Sequence, residues 1–138
     1  MQIMPATGRE VANDLGRGAG HSTDRMITDP VYNAELGSAY LSTLAKRYRG
    51  NVVLMSVAYN AGPGRADRWS GLYGDPRRLT DNFDIVDWIE HIPFRETRNY
   101  VMRVTESLPI YRARLGQDAH PVPFSEELSG ALLLPFAP

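Results

Sequence analysis

Apolar residues recur along most of the chain at spacings of three and four, which is the period of an α-helix. The clearest run begins at Asp29-Pro30, an N-cap acid followed by proline in the first helical position, and ends at Gly50. Its apolar face repeats every four residues through Tyr32, Leu36, Tyr40, Leu44 and Tyr48. Because strand signals are scarce, the pattern predicts an all-α fold.

The same period predicts further helices along the chain. They run from Ala6 to Leu15, from Val52 to Tyr59 with Asn51 as cap, from Asp84 to His91, and from Thr97 to Leu115, with a brief helix over 65–69 and a loop over 70–82. Pro109 interrupts the last helix and is predicted to kink or break it. Residues 117–138 contain four prolines and no period. We therefore predict one domain over 1–116 and a C-terminal tail over 117–138.

Composition excludes several classes of function. A chain of 138 residues with 43% hydrophobic and 22% charged residues is typical of one globular domain. The net charge of −1 gives no bulk positive field for nucleic acid or an anionic membrane. With no cysteine and only three histidines, none in an HExxH motif, we expect no metal and no other cofactor. No apolar run approaches the about 20 residues that cross a bilayer.

Four segments form a more specific pattern. They are Met1-Gln2-Ile3-Met4-Pro5-Ala6-Thr7, Ala58-Tyr59-Asn60-Ala61-Gly62-Pro63-Gly64 with Trp69, Glu90-His91-Ile92-Pro93-Phe94, and Arg95-Glu96-Thr97-Arg98-Asn99-Tyr100-Val101. In this order and spacing they resemble the catalytic domain of the soluble lytic murein transglycosylases over residues 1–115. The resemblance implies a lysozyme-like helical fold. It also implies non-hydrolytic cleavage of the β-1,4 bond between N-acetylmuramic acid and N-acetylglucosamine, which leaves a 1,6-anhydro ring.

In that family a single glutamate makes both proton transfers, and it precedes the MQIMP segment. This sequence begins inside that segment. The resemblance therefore implies an N-terminally truncated domain whose general acid lies upstream of Met1, with no catalytic residue in this chain. Glu10, Glu35 and Glu90 fall on faces expected to be solvated, so none is expected to replace it. We expect the chain by itself to be inactive.

The resemblance implies substrate-binding roles for Gln2, Met4, Tyr59, Asn60, Glu96 and Tyr100. Each also has a structural interpretation that stays open. Met4 and Tyr59 suit a core, and Asn60 suits the end of a helix. Glu96 suits the first turn of a helix, where the dipole favours an acid by about 0.3–1 kcal/mol.

Three further residues in or near these motifs are expected to stabilise the fold and not to bind substrate. Trp69 and Trp88 are expected in the core, and Arg98 is expected to pair with an acid.

Three functions stay open at this point. The first is a peptidoglycan lytic transglycosylase, the second an inactive glycan-binding module, and the third a lysozyme-type hydrolase in which water replaces the C6 hydroxyl. The expected partner is the glycan strand of peptidoglycan, with no nucleic acid and no membrane-spanning segment, and the chain is expected to be a monomer. The family implies a periplasmic or envelope location in a bacterium.

Overall fold

The computed structural model describes residues 3–79 and 82–130, without the side chains of 82–84. Within these ranges it is helical and contains no strand. The helices are α1 Pro5–Asp14, α2 Thr23–Thr28, α3 Pro30–Tyr48, α4 Val52–Ala61, α5 Pro63–Tyr73, α6 Asn82–Glu90, α7 Arg95–Arg114 and α8 Phe124–Ser129. Short 3-10 turns lie at Gly18–Gly20 and Pro76–Arg78. The all-α prediction is confirmed.

Local capping signals set the ends of the long helices, as the sequence predicted. The Asp29 carboxylate accepts a hydrogen bond from the Tyr32 amide at 3.0 Å, at the start of α3. The Asn51 side chain likewise accepts from the Leu54 amide at 2.9 Å, at the start of α4. Gly50 follows α3 with a φ of 79°, a conformation that glycine adopts without strain. These ends were readable because each depends on neighbouring residues only.

The chain divides into two compact units, Met1–Thr43 and Leu44–Pro138. In the first unit, α1, α2 and the first part of α3 enclose a small core of Val11, Ala12, Met26, Tyr32 and Leu36. A Cβ on Gly8 would lie only 2.6 Å from the sulfur of Met26. Glycine at position 8 therefore allows the close approach of α1 and α2.

The second unit is organised around α4. Val53, Leu54, Val57 and Ala58 are all fully buried on this helix. The reason is that α4 packs against α5, α7 and α8, so that little of its surface meets solvent. A helix enclosed in this way has to be apolar around most of its circumference. Trp69 on α5 and Trp88 on α6 are 5% and 2% exposed, so their predicted place in the core is confirmed.

The predicted bounds of the helix over 65–69 and of the loop after it were wrong. The helix predicted over 65–69 extends from Pro63 to Tyr73, and a 3-10 turn occupies Pro76–Arg78 inside the predicted loop. Pro109 lies inside α7 and does not break it. A proline removes one backbone hydrogen bond, and the turns before it are held in place by the burial of Val101 and Thr105.

The apolar stripe of α7, whose members recur at intervals of three and four residues, is buried only in its first half. It consists of Thr97, Val101, Val104, Leu108, Tyr111 and Leu115. Thr97 and Val101 are buried, whereas Tyr111 and Leu115 are 63% and 74% exposed. Periodicity identified the face correctly. It did not identify how far along the helix the neighbouring elements reach.

Part of the predicted tail is packed into the second unit. Residues 124–129 form α8, and the side chains of Glu127 and Leu128 are buried. Arg112 of α7 forms a two-pronged ion pair with the Glu127 carboxylate, and the Asn51 amide donates to the Leu128 carbonyl at 3.1 Å. The predicted tail therefore contains a helix over 124–129 that its lack of periodicity did not indicate. The division at residue 116 stays a prediction.

Candidate functional site

The six residues implied by the resemblance fall into separate parts of the chain. Gln2 lies outside the described residues. Met4 belongs to the first unit, where it is the N-cap residue of α1 and is 74% exposed. Exposure excludes the core interpretation of Met4. The other four residues lie on α4 and α7 of the second unit.

A side-chain hydrogen bond joins the end of α4 to the first turn of α7. The Thr97 hydroxyl donates to Asn60 Oδ1 at 2.7 Å, and Thr97 is only 2% exposed. With Oδ1 engaged, the Nδ2 group of Asn60 is the part of the amide left to donate to a further acceptor. The sequence had placed Thr97 in the apolar stripe. The presence of a hydroxyl at a buried position of that stripe was the one indication that Thr97 makes a hydrogen bond.

Glu96 and Tyr100 lie one turn apart on the same face of α7. Glu96 is exposed in the first turn, and Tyr100 is half-buried. Burial raises the pKa of the Tyr100 phenol above its ordinary value. The hydroxyl of Tyr100 therefore stays protonated at neutral pH and can donate a hydrogen bond beside a carboxylate.

Tyr59 and Asn60 occupy the last turn of α4, where the chain turns sharply into α5. Asn60 does not end the helix, because α4 continues to Ala61 and its C-cap is Gly62, with a φ of 94°. Pro63 is then the first residue of α5. The glycine is required here because other residues rarely adopt a φ in this region. The helix-ending role expected for Asn60 thus belongs to Gly62.

The turn between α4 and α5 is held in place by Tyr48, the last residue of α3. Its hydroxyl lies 3.0 Å from Asp67 Oδ1 and 3.2 Å from the Pro63 carbonyl oxygen, and these two acceptors share its single hydrogen. Arg47 pairs with the other oxygen of the Asp67 carboxylate at 2.5 Å. Burial, together with the hydrogen bond to Asp67, raises the pKa of Tyr48 to about 12. The phenol is therefore neutral over the physiological range and holds the turn as a donor.

The segment between α6 and α7 is held by contacts among the motif residues. Arg98 donates to the Ile92 carbonyl at 3.1 Å and lies 3.8 Å from the Glu90 carboxylate, so its predicted pairing with an acid is confirmed. Phe94 packs edge-on against Trp69 with ring centroids 5.5 Å apart. The guanidinium of Arg65 lies 4.9 Å from the centroid of the Phe94 ring. These contacts position the start of α7, which carries Glu96.

The acids considered as replacements for the missing proton donor lie at the surface. Glu10 is exposed, Glu35 pairs with Arg17 at 2.7 Å, and Glu90 is exposed beside Arg98. Within residues 3–79 and 82–130, no group of three or more His, Asp or Glu side chains could hold a metal ion. None of the helices in the same ranges is long and apolar enough to cross a membrane.

Comparison with known proteins gives consistent results. The family model described as the transglycosylase SLT domain matches residues 1–81. The soluble lytic murein transglycosylase of Escherichia coli K12 is 35% identical over 116 residues, which is 84% of this chain and 17% of that protein. The Salmonella typhimurium protein of the same name is 35% identical over 121 residues, 85% of this chain and 17% of that one. The chain thus spans about a sixth of these relatives.

A solved structure shares the fold. It is an inactive mutant of the lytic transglycosylase Slt from Pseudomonas aeruginosa, in which one glutamate is changed to glutamine. It is 42% identical to this chain, covers 86% of it and 18% of its own length, and superposes with a TM-score of 0.66. The helical architecture is therefore that of a lytic transglycosylase, as the motifs had implied. Family model, relatives and structure agree that this chain belongs to the transglycosylase SLT domain family.

Proposed function

We propose that this chain forms part of the substrate cleft of a peptidoglycan lytic transglycosylase in the bacterial envelope. In this proposal Tyr59, Asn60, Glu96 and Tyr100 bind the glycan strand at the junction of α4 and α7. Gln2 and Met4 are substrate-binding residues by the resemblance alone. In this proposal the glutamate that transfers the proton lies in a part of the protein outside the 138 residues of this chain. The reaction is cleavage without water, which leaves a 1,6-anhydro sugar.

The observation that carries the proposal is the Thr97–Asn60 hydrogen bond. It ties the end of α4 to the first turn of α7 and leaves the Asn60 Nδ2 group available as a donor. Glu96 adds an exposed acceptor, and Tyr100 adds a protonated hydroxyl one turn later. Neutral amides, hydroxyls and a carboxylate are the groups that bind the hydroxyl and acetamido groups of a sugar.

The surface positions of the glutamates near the motifs support placing the catalytic glutamate elsewhere. A carboxyl group that donates a proton near neutral pH usually sits in an apolar pocket. Glu10, Glu90 and Glu96 are exposed, and Glu35 pairs with Arg17. The Pseudomonas aeruginosa relative is inactive when one glutamate becomes glutamine, so a single glutamate is essential there. One glutamate suffices in an intramolecular reaction, because the C6 hydroxyl replaces the water or second carboxylate of ordinary glycosidases.

The test compares the 138-residue chain with the same chain extended at its N-terminus. The added segment is the one that precedes the matched region in the Escherichia coli relative. The extended chain is expected to release sugars lighter by one water molecule than hydrolysis products, as measured by mass spectrometry. The unextended chain is expected to bind glycan strands without cleaving them.

Variants of the extended chain test the binding residues. Glu96→Gln should lower kcat/KM by about 10–100-fold through loss of a charge-assisted hydrogen bond, and Tyr100→Phe by about 2–10-fold through loss of a neutral one. Glu106→Gln changes an exposed acid farther along α7 and serves as the matched control, with activity expected to be unchanged.

Three outcomes contradict the proposal. Cleavage by the unextended chain would place the acid within it. Products that contain the added water would identify a hydrolase. Binding without cleavage by the extended chain would favour an inactive glycan-binding module.

A further inference from the structure

A separate hollow lies in the second unit where the end of α5 meets α6. It has a volume of about 350 Å³ and is lined by Tyr73, Leu79, Asp87, Trp88 and His91. None of these residues belongs to the binding set proposed above. This volume is at the lower end of the range for sites that take small ligands, and the hollow is open to solvent.

The walls of the hollow are largely aromatic and are fixed by hydrogen bonds. The Trp88 indole N–H donates to the Gly74 carbonyl at 2.8 Å, and the Trp88 side chain is 2% exposed. The rings of Tyr73 and His91 approach with centroids 5.7 Å apart at an angle of 48°. A ligand entering the hollow therefore meets a preformed surface and does not have to order it.

Two of the polar side chains that line the hollow, His91 and Asp87, offer acceptors. His91 Nδ1 lies 2.7 Å from the Asp87 backbone carbonyl, which can only accept, so Nδ1 carries the hydrogen. In the neutral ring Nε2 is then the acceptor. The Asp87 carboxylate supplies two further acceptor oxygens and the single formal charge among the five lining residues. Among the residues of the hollow that the structure describes, none is a lysine or arginine that would neutralise this carboxylate.

We propose that this hollow binds a primary alkylammonium group. The ammonium donates to the Asp87 carboxylate and lies against the ring of Tyr73, which attracts a cation through its π face. The alkyl stem lies along Leu79. Such a group occurs on the stem peptides of peptidoglycan as the free amine of a diamino acid, and this assignment of the source rests on the proposed function.

The first experiment tests ammonium binding without peptidoglycan. The chain is titrated with Nα-acetyl-lysine methylamide and, in parallel, with its Nε-acetylated analogue, which is neutral at the same position. Binding is followed by the shift of the Trp88 indole N–H in nitrogen–proton correlation spectra, with the Trp69 indole as internal reference. We expect a saturable, millimolar interaction with the amine and at least tenfold weaker binding of the neutral analogue.

Variants locate the interaction. Asp87→Asn keeps the shape of the side chain and removes its charge, and should weaken amine binding at least tenfold. Glu106→Gln removes an exposed acid outside the hollow and should leave binding unchanged. Equal binding of both probes, equal binding by Asp87→Asn and the unaltered chain, or no saturable shift would each overturn the proposal. If Asp87→Asn does not fold, the comparison of the two probes on the unaltered chain decides.

A second experiment tests the source of the ammonium. A muropeptide with a free side-chain amine is compared with the same muropeptide after N-acetylation. Tighter binding of the free amine supports the stem peptide as the source. If the two lysine probes bind with different affinities but the two muropeptides bind equally, the hollow binds an ammonium group and the stem-peptide source is wrong. Glycan cleavage by the N-terminally extended chain is unaffected by this outcome, so the two proposals fail separately.

Discussion

Asn51 connects the start of α4 to the C-terminal helix, and its removal gives a sharp test of the fold. It is 1% exposed and uses both ends of its amide. Oδ1 accepts from the Leu54 amide at 2.9 Å and caps α4, while Nδ2 donates to the Leu128 carbonyl at 3.1 Å. Leu128 lies near the end of α8, where carbonyl groups have no partner within the helix.

The expected cost of Asn51→Ala is the sum of these two losses. Removing an N-cap costs about 1 kcal/mol, and leaving the buried Leu128 carbonyl without a donor costs about 1–3 kcal/mol. The free energy of unfolding should therefore fall by about 2–4 kcal/mol. For a chain of this size that lowers the melting temperature by roughly 6–16 °C.

Asn51→Ser separates the two contributions. Serine is a good N-cap but is too short to reach Leu128, so only the second cost of about 1–3 kcal/mol should appear. Asn99→Ala, at an exposed position of α7, is the matched control and should change stability by less than about 0.5 kcal/mol.

The assay is urea unfolding followed by far-ultraviolet circular dichroism. The expected order of destabilisation is Asn51→Ala, then Asn51→Ser, then Asn99→Ala. If Asn51→Ser is as stable as the unaltered chain, α8 does not depend on the Asn51–Leu128 bond. If Asn51→Ala and Asn99→Ala have equal urea midpoints, Asn51 contributes neither the cap nor the bond to α8.

Three further predictions concern single side chains. Thr97→Val should lower the free energy of unfolding by about 1 kcal/mol through loss of the hydrogen bond to Asn60, whereas Thr97→Ser should keep that hydrogen bond. Equal urea midpoints for the two variants would contradict this expectation. Ultraviolet titration should detect one tyrosine with a pKa of about 12 that is missing in Tyr48→Phe. Because that folded-state pKa lies above the unfolded value of 10.0, the stability due to Tyr48 is complete below pH 10 and is lost as pH rises toward 12. The hydrogen bond from Arg77 holds the pKa of Asp75 below its ordinary value of 3.8. The stability that this pair contributes is therefore present above pH 3.8 and is lost as the pH falls through the lowered pKa. Asp75→Asn should lose less stability in acid than the unaltered chain, as measured by urea midpoints between neutral and acidic pH.

The candidate site was predictable only in part from the chain. The motif residues Asn60 and Thr97 are 37 positions apart, and no local pattern indicates that their side chains meet. The resemblance named Asn60, Glu96 and Tyr100, but the role of Thr97 in holding Asn60 came from the packing of α4 on α7. The amine-binding hollow likewise depends on α5 and α6 meeting at Tyr73 and His91, which sequence spacing alone does not reveal.

The sequence by itself determined where the main helices begin and which faces they bury. Asp29, Asn51 and Gly62 act on residues within one turn, and the apolar period of α4 reflects burial on nearly all sides. Tertiary structure decided whether segments with little periodicity form helices. The six residues of α8 show too little periodicity to be recognised, and an isolated helix of that length is unstable in water. Its burial against α4 and α6 and the Arg112–Glu127 ion pair stabilise it. Helix ends are local in sequence, whereas a short helix exists only where distant residues cover it.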